Sequence, residues 1–206
     1  MKTKKRKLSH LRGIVIVHGK SELQIVKHIK SNLRITIEIF AEKNGENSIQ
    51  INGLKNILGN TIFKSIGTIQ KNYPTIQVSK NGKNKVLENF KIFIIMDTDD
   101  CTQKEKENFI NKEMFKNHWA YEYIVPIYNS DNLEDVLKSS NVKYNEYDIK
   151  NIKDKDLKSK YIKIFPIKNG ATQDEIEKLK ELNETLRKSK KTNINEFIDY
   201  CMDISN

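Results

Sequence analysis

Residues 91–100 read KIFIIMDTDD, an unbroken run of large apolar side chains that ends on three carboxylates within four positions. A run with no polar face predicts a strand covered on both sides, as in the middle of a parallel sheet. Upstream, GIVIV at 13–17 is a second run of this kind, and it ends at His18-Gly19. Ser21 is placed to cap a helix starting near Glu22, in which Leu23, Val26, Ile29 and Leu33 share one face. RITIEIF at 34–40 alternates polar and apolar residues, as a further strand does. Downstream, residues 103–117 predict a helix that turns Phe109, Ile110, Met114 and Phe115 inward. YEYIVPI at 121–127 predicts a strand whose Pro126 belongs on an edge, and a short helix follows over 132–138.

Between these elements lie a Gly/Asn-rich loop (EKNGENS, 42–48), a short helix over Ile49–Leu58, a helical turn or two through Ile62, Ile66 and Ile69, and a turn at NGKN (81–84). Strands alternate with helices to about residue 140. That order predicts an α/β fold, an open and mostly parallel sheet with helices on both faces. Three divisions follow: a basic, disordered tail over 1–10, the α/β domain over 11–140, and a helical C-terminal extension over 141–206 packed on it. In the extension Thr172-x-x-Glu175 is a capping box for a polar helix to about Lys188, and 193–204 is amphipathic, suited to pack on the domain or on a second copy in a homodimer.

Composition narrows the function. No apolar run approaches the about 20 residues of a membrane-spanning helix, and the basic start lacks the apolar stretch of a secretory signal. Cys101 and Cys201 form no CxxC pair. These features fit a cytoplasmic protein and exclude a zinc ribbon or a disulfide scaffold. The net charge is +10. Residues 1–100 hold 18 basic against 8 acidic side chains and residues 101–206 hold 19 of each, so the excess sits in the first half. Half of it is Lys2, Lys4, Lys5, Arg6 and Lys7, a patch suited to a nucleic-acid backbone. A biased, lysine-rich composition with only four arginines is the plainer reading of the same charge.

In an open α/β sheet the site lies beyond the carboxyl ends of the strands. There the sequence sets His18 and Glu22 after the first strand, Asp97, Asp99 and Asp100 after the central one, and NSDNLED (129–135), with Asp131, Glu134 and Asp135, after the next. Carboxylates gathered from three strand ends repel one another unless a cation lies between them, and oxygen donors suit Mg²⁺ or Mn²⁺. Each piece has a structural reading as well. Asp99 or Asp100 can cap the helix near 103, and Glu22 can answer a helix dipole.

The segments IVIVHGKSE (14–22) and IFIIMDTDD (92–100) resemble the Toprim domain family, in which a strand ends in Glu-Gly and a later strand ends in Asp-x-Asp. The spacing is similar to that in OLD-family nucleases and RloB-like proteins, and NSDNLED stands where the latter carry a further acidic segment. The resemblance spans residues 12–140. It implies a metal-dependent nuclease acting on DNA or RNA, a place in phage defence, and a larger ATPase as partner. It further implies Glu22, Asp97, Asp99 and Glu134 as ligands of Mg²⁺ or Mn²⁺. His18 replaces the family's glutamate. That leaves three readings open: His18 as an altered ligand or base, a metal site without it, or a catalytically silent module that binds nucleic acid or a protein. Lys20, at the helix start, is placed to touch a phosphate. Asp97-Thr98-Asp99 also matches the nucleophile motif of haloacid-dehalogenase-like phosphatases, although Cys101 and the strand's position depart from that pattern.

Overall fold

The computed structural model describes residues 10–82, 84–168 and 170–205. Strand β1 (Gly13–Val17) passes through His18-Gly19 into helix α1 (Lys20–Leu33), which returns to β2 (Ile37–Phe40). Short 3₁₀ turns, α2 (Leu54–Leu58), α3 (Ile66–Asn72) and a hairpin of β3 (Val78–Asn81) and β4 (Asn84–Leu87) lead to β5 (Lys91–Asp97). Then come α4 (Gln103–Ile110), β6 (Ile124–Asn129), α5 (Leu133–Ser139) and a small hairpin of β7 (Lys143–Tyr144) and β8 (Tyr147–Asp148). Three helices close the chain: α6 (Asp154–Ile164), α7 (Gln173–Arg187) and α8 (Ile194–Asp203).

The main sheet has the order β2-β1-β5-β6, with every pairing parallel. Both apolar runs are therefore central strands, and each is buried along its length apart from a half-buried Lys91. Alternate side chains divide between two cores. Val15, Val17, Phe93 and Ile95 face α1, α5 and the C-terminal helices. Ile14, Ile16, Ile92, Ile94 and Met96 face residues of α2, α3 and α4. At roughly 1.5–3 kcal/mol per fully buried large apolar side chain, these two runs carry much of the stabilisation.

The C-terminal helices complete one face of the sheet. Phe197 meets Phe93 edge-on with 5.1 Å between ring centres, and the Tyr200 hydroxyl donates to the Arg12 carbonyl at 2.6 Å. The amphipathic face of α8 is thus buried against its own domain. Pro126 does lie on an edge strand. That edge is occupied in part by Asn193, whose side chain accepts from the Tyr128 amide at 2.9 Å and donates to the Pro126 carbonyl at 3.1 Å.

Several local expectations need correction. Gly19, not Ser21, precedes the first turn of α1. The helix expected over 103–117 stops at Ile110, because Lys112 turns to φ 63°. Thr102 caps α4 through its bond to the Glu105 amide, which releases Asp99 and Asp100 from that role. The two hairpins are an addition to the α/β alternation. The expected tail over 1–10 lies outside the described residues except for His10. Among the described residues no helix is long and apolar enough to cross a membrane.

Candidate functional site

The chain moves from β1 to β2 on one side and then returns to β5 on the other side of β1. The carboxyl ends of β1 and β5 are therefore the topological switch point, where open sheets leave a crevice. A cavity of about 690 Å³ lies there, and His18, Glu22, Asp97, Asp99 and Glu134 all line it, with Lys20 at its rim. The site residues expected from the sequence are brought together, except for Lys2, Lys4, Lys5, Arg6 and Lys7, which lie outside the described residues. The described chain begins at the amino end of β1, across the sheet from the cavity.

His18 is held by its backbone and its ring. Its amide donates to the Ile95 carbonyl at 2.9 Å, and Nδ1 lies 2.9 Å from the Ile49 carbonyl. A carbonyl only accepts, so Nδ1 carries the proton and the neutral ring keeps a lone pair on Nε2. That nitrogen faces Asp97, 4.0 Å from Oδ2. The loop that supplies Ile49 packs tightly on the start of α1. Gly45 sits there at φ +84°, where an added Cβ would come within 3.0 Å of the Lys20 Cα.

Glu22 is the third residue of α1 and is buried. One oxygen, Oε2, accepts the Gly19 amide at 3.0 Å and so caps the helix. The other, Oε1, is buried without a hydrogen-bond partner. Burial, with the charges of Asp97 and Glu134 added, drives its carboxyl well above the usual carboxylate range. Asp97 ends β5. Its Oδ1 accepts from Asn129 Nδ2 at 3.0 Å, and the Asn129 oxygen in turn accepts from the Thr192 hydroxyl at 2.9 Å. Burial pushes Asp97 up to about 6, aided by Glu134 and Asp99 and opposed by the Asn129 bond and His18. Glu134, at the start of α5, accepts from the Ser21 hydroxyl at 2.7 Å. Asp99 is exposed at the mouth, and Asp100 accepts from Gln50 at 3.2 Å.

Each buried acid is thus engaged by a neighbour of its own. Among the described residues no group of three or more His, Cys, Asp or Glu side chains is disposed to hold a metal ion at once. The donor types, carboxylate oxygens with one imidazole nitrogen, are ones that a divalent cation accepts, and Glu22 Oε1 has no hydrogen-bond partner.

The sequence alone does not single out Asn129 and Lys158. Asn129 is the first residue of the acidic segment, and a polar side chain directly ending an apolar strand was its signal. Lys158 lines the cavity from α6, a helix whose polar sequence carries no strong pattern. Trp119 and Tyr123 serve the framework, the first donating to the Phe63 carbonyl at 2.6 Å and the second accepting from the Leu87 amide at 3.0 Å. Comparison with protein-family models, with curated proteins and with solved structures finds no match.

Proposed function

We propose that this chain is a Toprim-like, divalent-cation-dependent phosphodiesterase acting on a nucleic acid. The observation that carries the reading is the pair of buried carboxylates at the switch point, Glu22 and Asp97. Both are pushed toward neutrality by burial, Glu22 further by Asp97 and Glu134, and Asp97 further by Glu134 and Asp99, and Glu22 keeps one oxygen unpartnered. Like charges gathered in a buried crevice cost stability, and a cation removes that cost. Glu22, Asp97 and Glu134 would hold the ion only after turning from Gly19, Asn129 and Ser21 toward one point, with Asp99 at the mouth and His18 Nε2 beside them. The ion's contribution when bound is to acidify water and neutralise phosphoryl charge. The chain supplies the rest. The tautomer fixed by Ile49 leaves His18 Nε2 able to accept a proton from a water in the cavity. Lys20 and Lys158 offer the only ammonium groups among the lining residues, suited to a phosphate.

One observation favours a second reading. The Glu22 bond to its own helix start is a structural use of that residue, and it suits a silent module that binds nucleic acid or protein. The phosphatase reading has less support, because Asp97 Oδ1 is taken by Asn129 and because Cys101 and the strand's place in the order depart from that motif.

The test is cleavage of labelled single- and double-stranded DNA and of tRNA, in Mn²⁺, Mg²⁺ or EDTA, with wild type and Asp97→Ala. Cutting that needs the metal and disappears in the variant is expected. Salt-sensitive binding without cutting would replace the phosphodiesterase with the silent module.

A further inference from the structure

The outward face of α1 carries charge of one sign. The residues of this helix that reach the surface are Lys20, Ser21, Gln24, Lys27, Lys30 and Ser31, and its one glutamate, Glu22, is buried. Helix α4, by contrast, interleaves Lys104 and Lys106 with Glu105 and Glu107. Lys20, Lys27 and Lys30 fall on one side of α1, and its C-cap Arg34 follows on the same side. After α6 the chain runs back along this side. Gln24 Nε2 donates to the Phe165 carbonyl at 2.7 Å, the Lys168 amide to Ser31 Oγ at 3.2 Å and the Ala171 amide to the Asn32 carbonyl at 3.2 Å. A groove of about 760 Å³ opens there, at the far end of α1 from the acidic cavity. Lys27, Lys30, Arg34 and Lys168 line it against a single acid, Glu38, and Ile167 borders it at 55% exposure. Gly170, at φ +98°, leaves the room that the Arg34 guanidinium fills, since an added Cβ would overlap it. Lys168 is paired with Glu175, but Lys27 and Lys30 have no ion-pair partner among the described residues.

We propose that this face of α1 is the track along which a nucleic-acid backbone reaches the cavity, with Lys27 and Lys30 on its phosphates. Helix α1 is 14 residues long, about 21 Å at 1.5 Å per residue. Lys20 stands at the cavity, and the groove lies at the other end. No small phosphate ester spans that distance, whereas one strand of a duplex sets a phosphate about every 3.4 Å along it. Lysines contact such a backbone without reading its sequence. The inference deepens the phosphodiesterase reading, from which it takes the identity of the polyanion, but the track itself needs neither cleavage nor a metal.

The experiment uses the full chain in EDTA and reads the fluorescence anisotropy of a labelled single strand and of a labelled duplex from about 50 to about 200 mM salt. The double variant Lys27→Gln/Lys30→Gln is compared with Lys55→Gln/Lys104→Gln, which removes equal charge from α2 and α4 on the other face of the sheet. The track variant is expected to bind about 10-fold or more weakly than wild type. The slope of log K against log salt is expected to fall by about 1.4 to 1.8, at about 0.7 to 0.9 for each lost phosphate contact. The control variant is expected to keep the wild-type slope. Equal losses in both variants would mean diffuse attraction to a basic protein and overturn the track. Tighter binding of poly-glutamate or of phosphatidylserine vesicles than of either nucleic acid would give the groove to another anion and overturn it too. A slope difference that persists in a protein that cuts neither substrate with Mn²⁺ would remove the phosphodiesterase and leave the track standing.

Discussion

Two histidines, one just before α1 and one within it, show how differently this molecule treats an imidazole ring. His28 is closed. Its Nδ1 lies 2.6 Å from the Pro166 carbonyl and its Nε2 2.7 Å from the Tyr144 hydroxyl, with the Asn32 amide 2.9 Å from the same nitrogen. His18 has the same first half, a ring nitrogen on the Ile49 carbonyl at 2.9 Å, but its second nitrogen meets only a carboxylate 4.0 Å away across a cavity wall. In both cases a backbone carbonyl fixes the proton on Nδ1. Around His28 the remaining valence is spent on packing the C-terminal segment to α1, and around His18 it is left open toward the cavity. A satisfied polar cluster stabilises, whereas an unsatisfied one is retained at the expense of stability.

That contrast can be broken most forcefully at the closed site. His28→Ala should cost about 3–4 kcal/mol, from three lost hydrogen bonds and a cavity. His18→Ala should cost about 1 kcal/mol while removing Mn²⁺-dependent cleavage. Urea unfolding of both variants checks the order, and equal losses would end the distinction.

The next effect has the opposite sign. Asp97→Asn should stabilise the metal-free protein by about 1–2 kcal/mol at pH 8, since Asp97 is held near 6 against an ordinary value of 3.8. A carboxyl whose folded value is raised binds its proton more tightly when folded, so its penalty is full above about 6 and fades as pH falls toward 3.8. The gap between variant and wild type should therefore close on acidification in EDTA, and should invert with Mn²⁺ at pH 8. A gap that is constant with pH would mean that Asp97 carries no such penalty.

The smallest effect sharpens the closed cluster. Tyr144→Phe should cost about 1 kcal/mol by removing the donor to His28. Burial, with the Lys168 charge added, lowers the His28 value, although the Pro166 carbonyl opposes this. The folded state then binds that proton less readily, so the His28 contribution is whole above its unfolded value of 6.5 and is lost as pH falls below it. Stability of wild type relative to His28→Ala, followed from pH 8 to 5, should shrink.

The framework was readable because its signals are short in range. GIVIV and KIFIIM have no polar face, which places them centrally in a sheet, and the Thr172–Glu175 capping box forms with both of its bonds. The Asp97-Thr98-Asp99 step and the His18-to-Glu22 spacing put their residues at the same crevice. The hairpins and α6 were passed over because their sequences are polar and lack a clean period. The start of α1 was misread at Ser21 because its hydroxyl is used across the site, on Glu134, and not on its own helix.

The sequence by itself determined which strands are central, which acids stand at their ends, and that those ends meet on one edge. All of that follows from patterns a few residues long, because backbone geometry repeats every two or 3.6 residues. The tertiary structure alone decided how each acid is engaged. It turned Glu22 back on Gly19, tied Ser21 to Glu134 across 113 positions and His18 to Ile49 across 31, and brought Asn129 to Asp97. Such bonds depend on which elements pack together in space, and no local period in the chain encodes them.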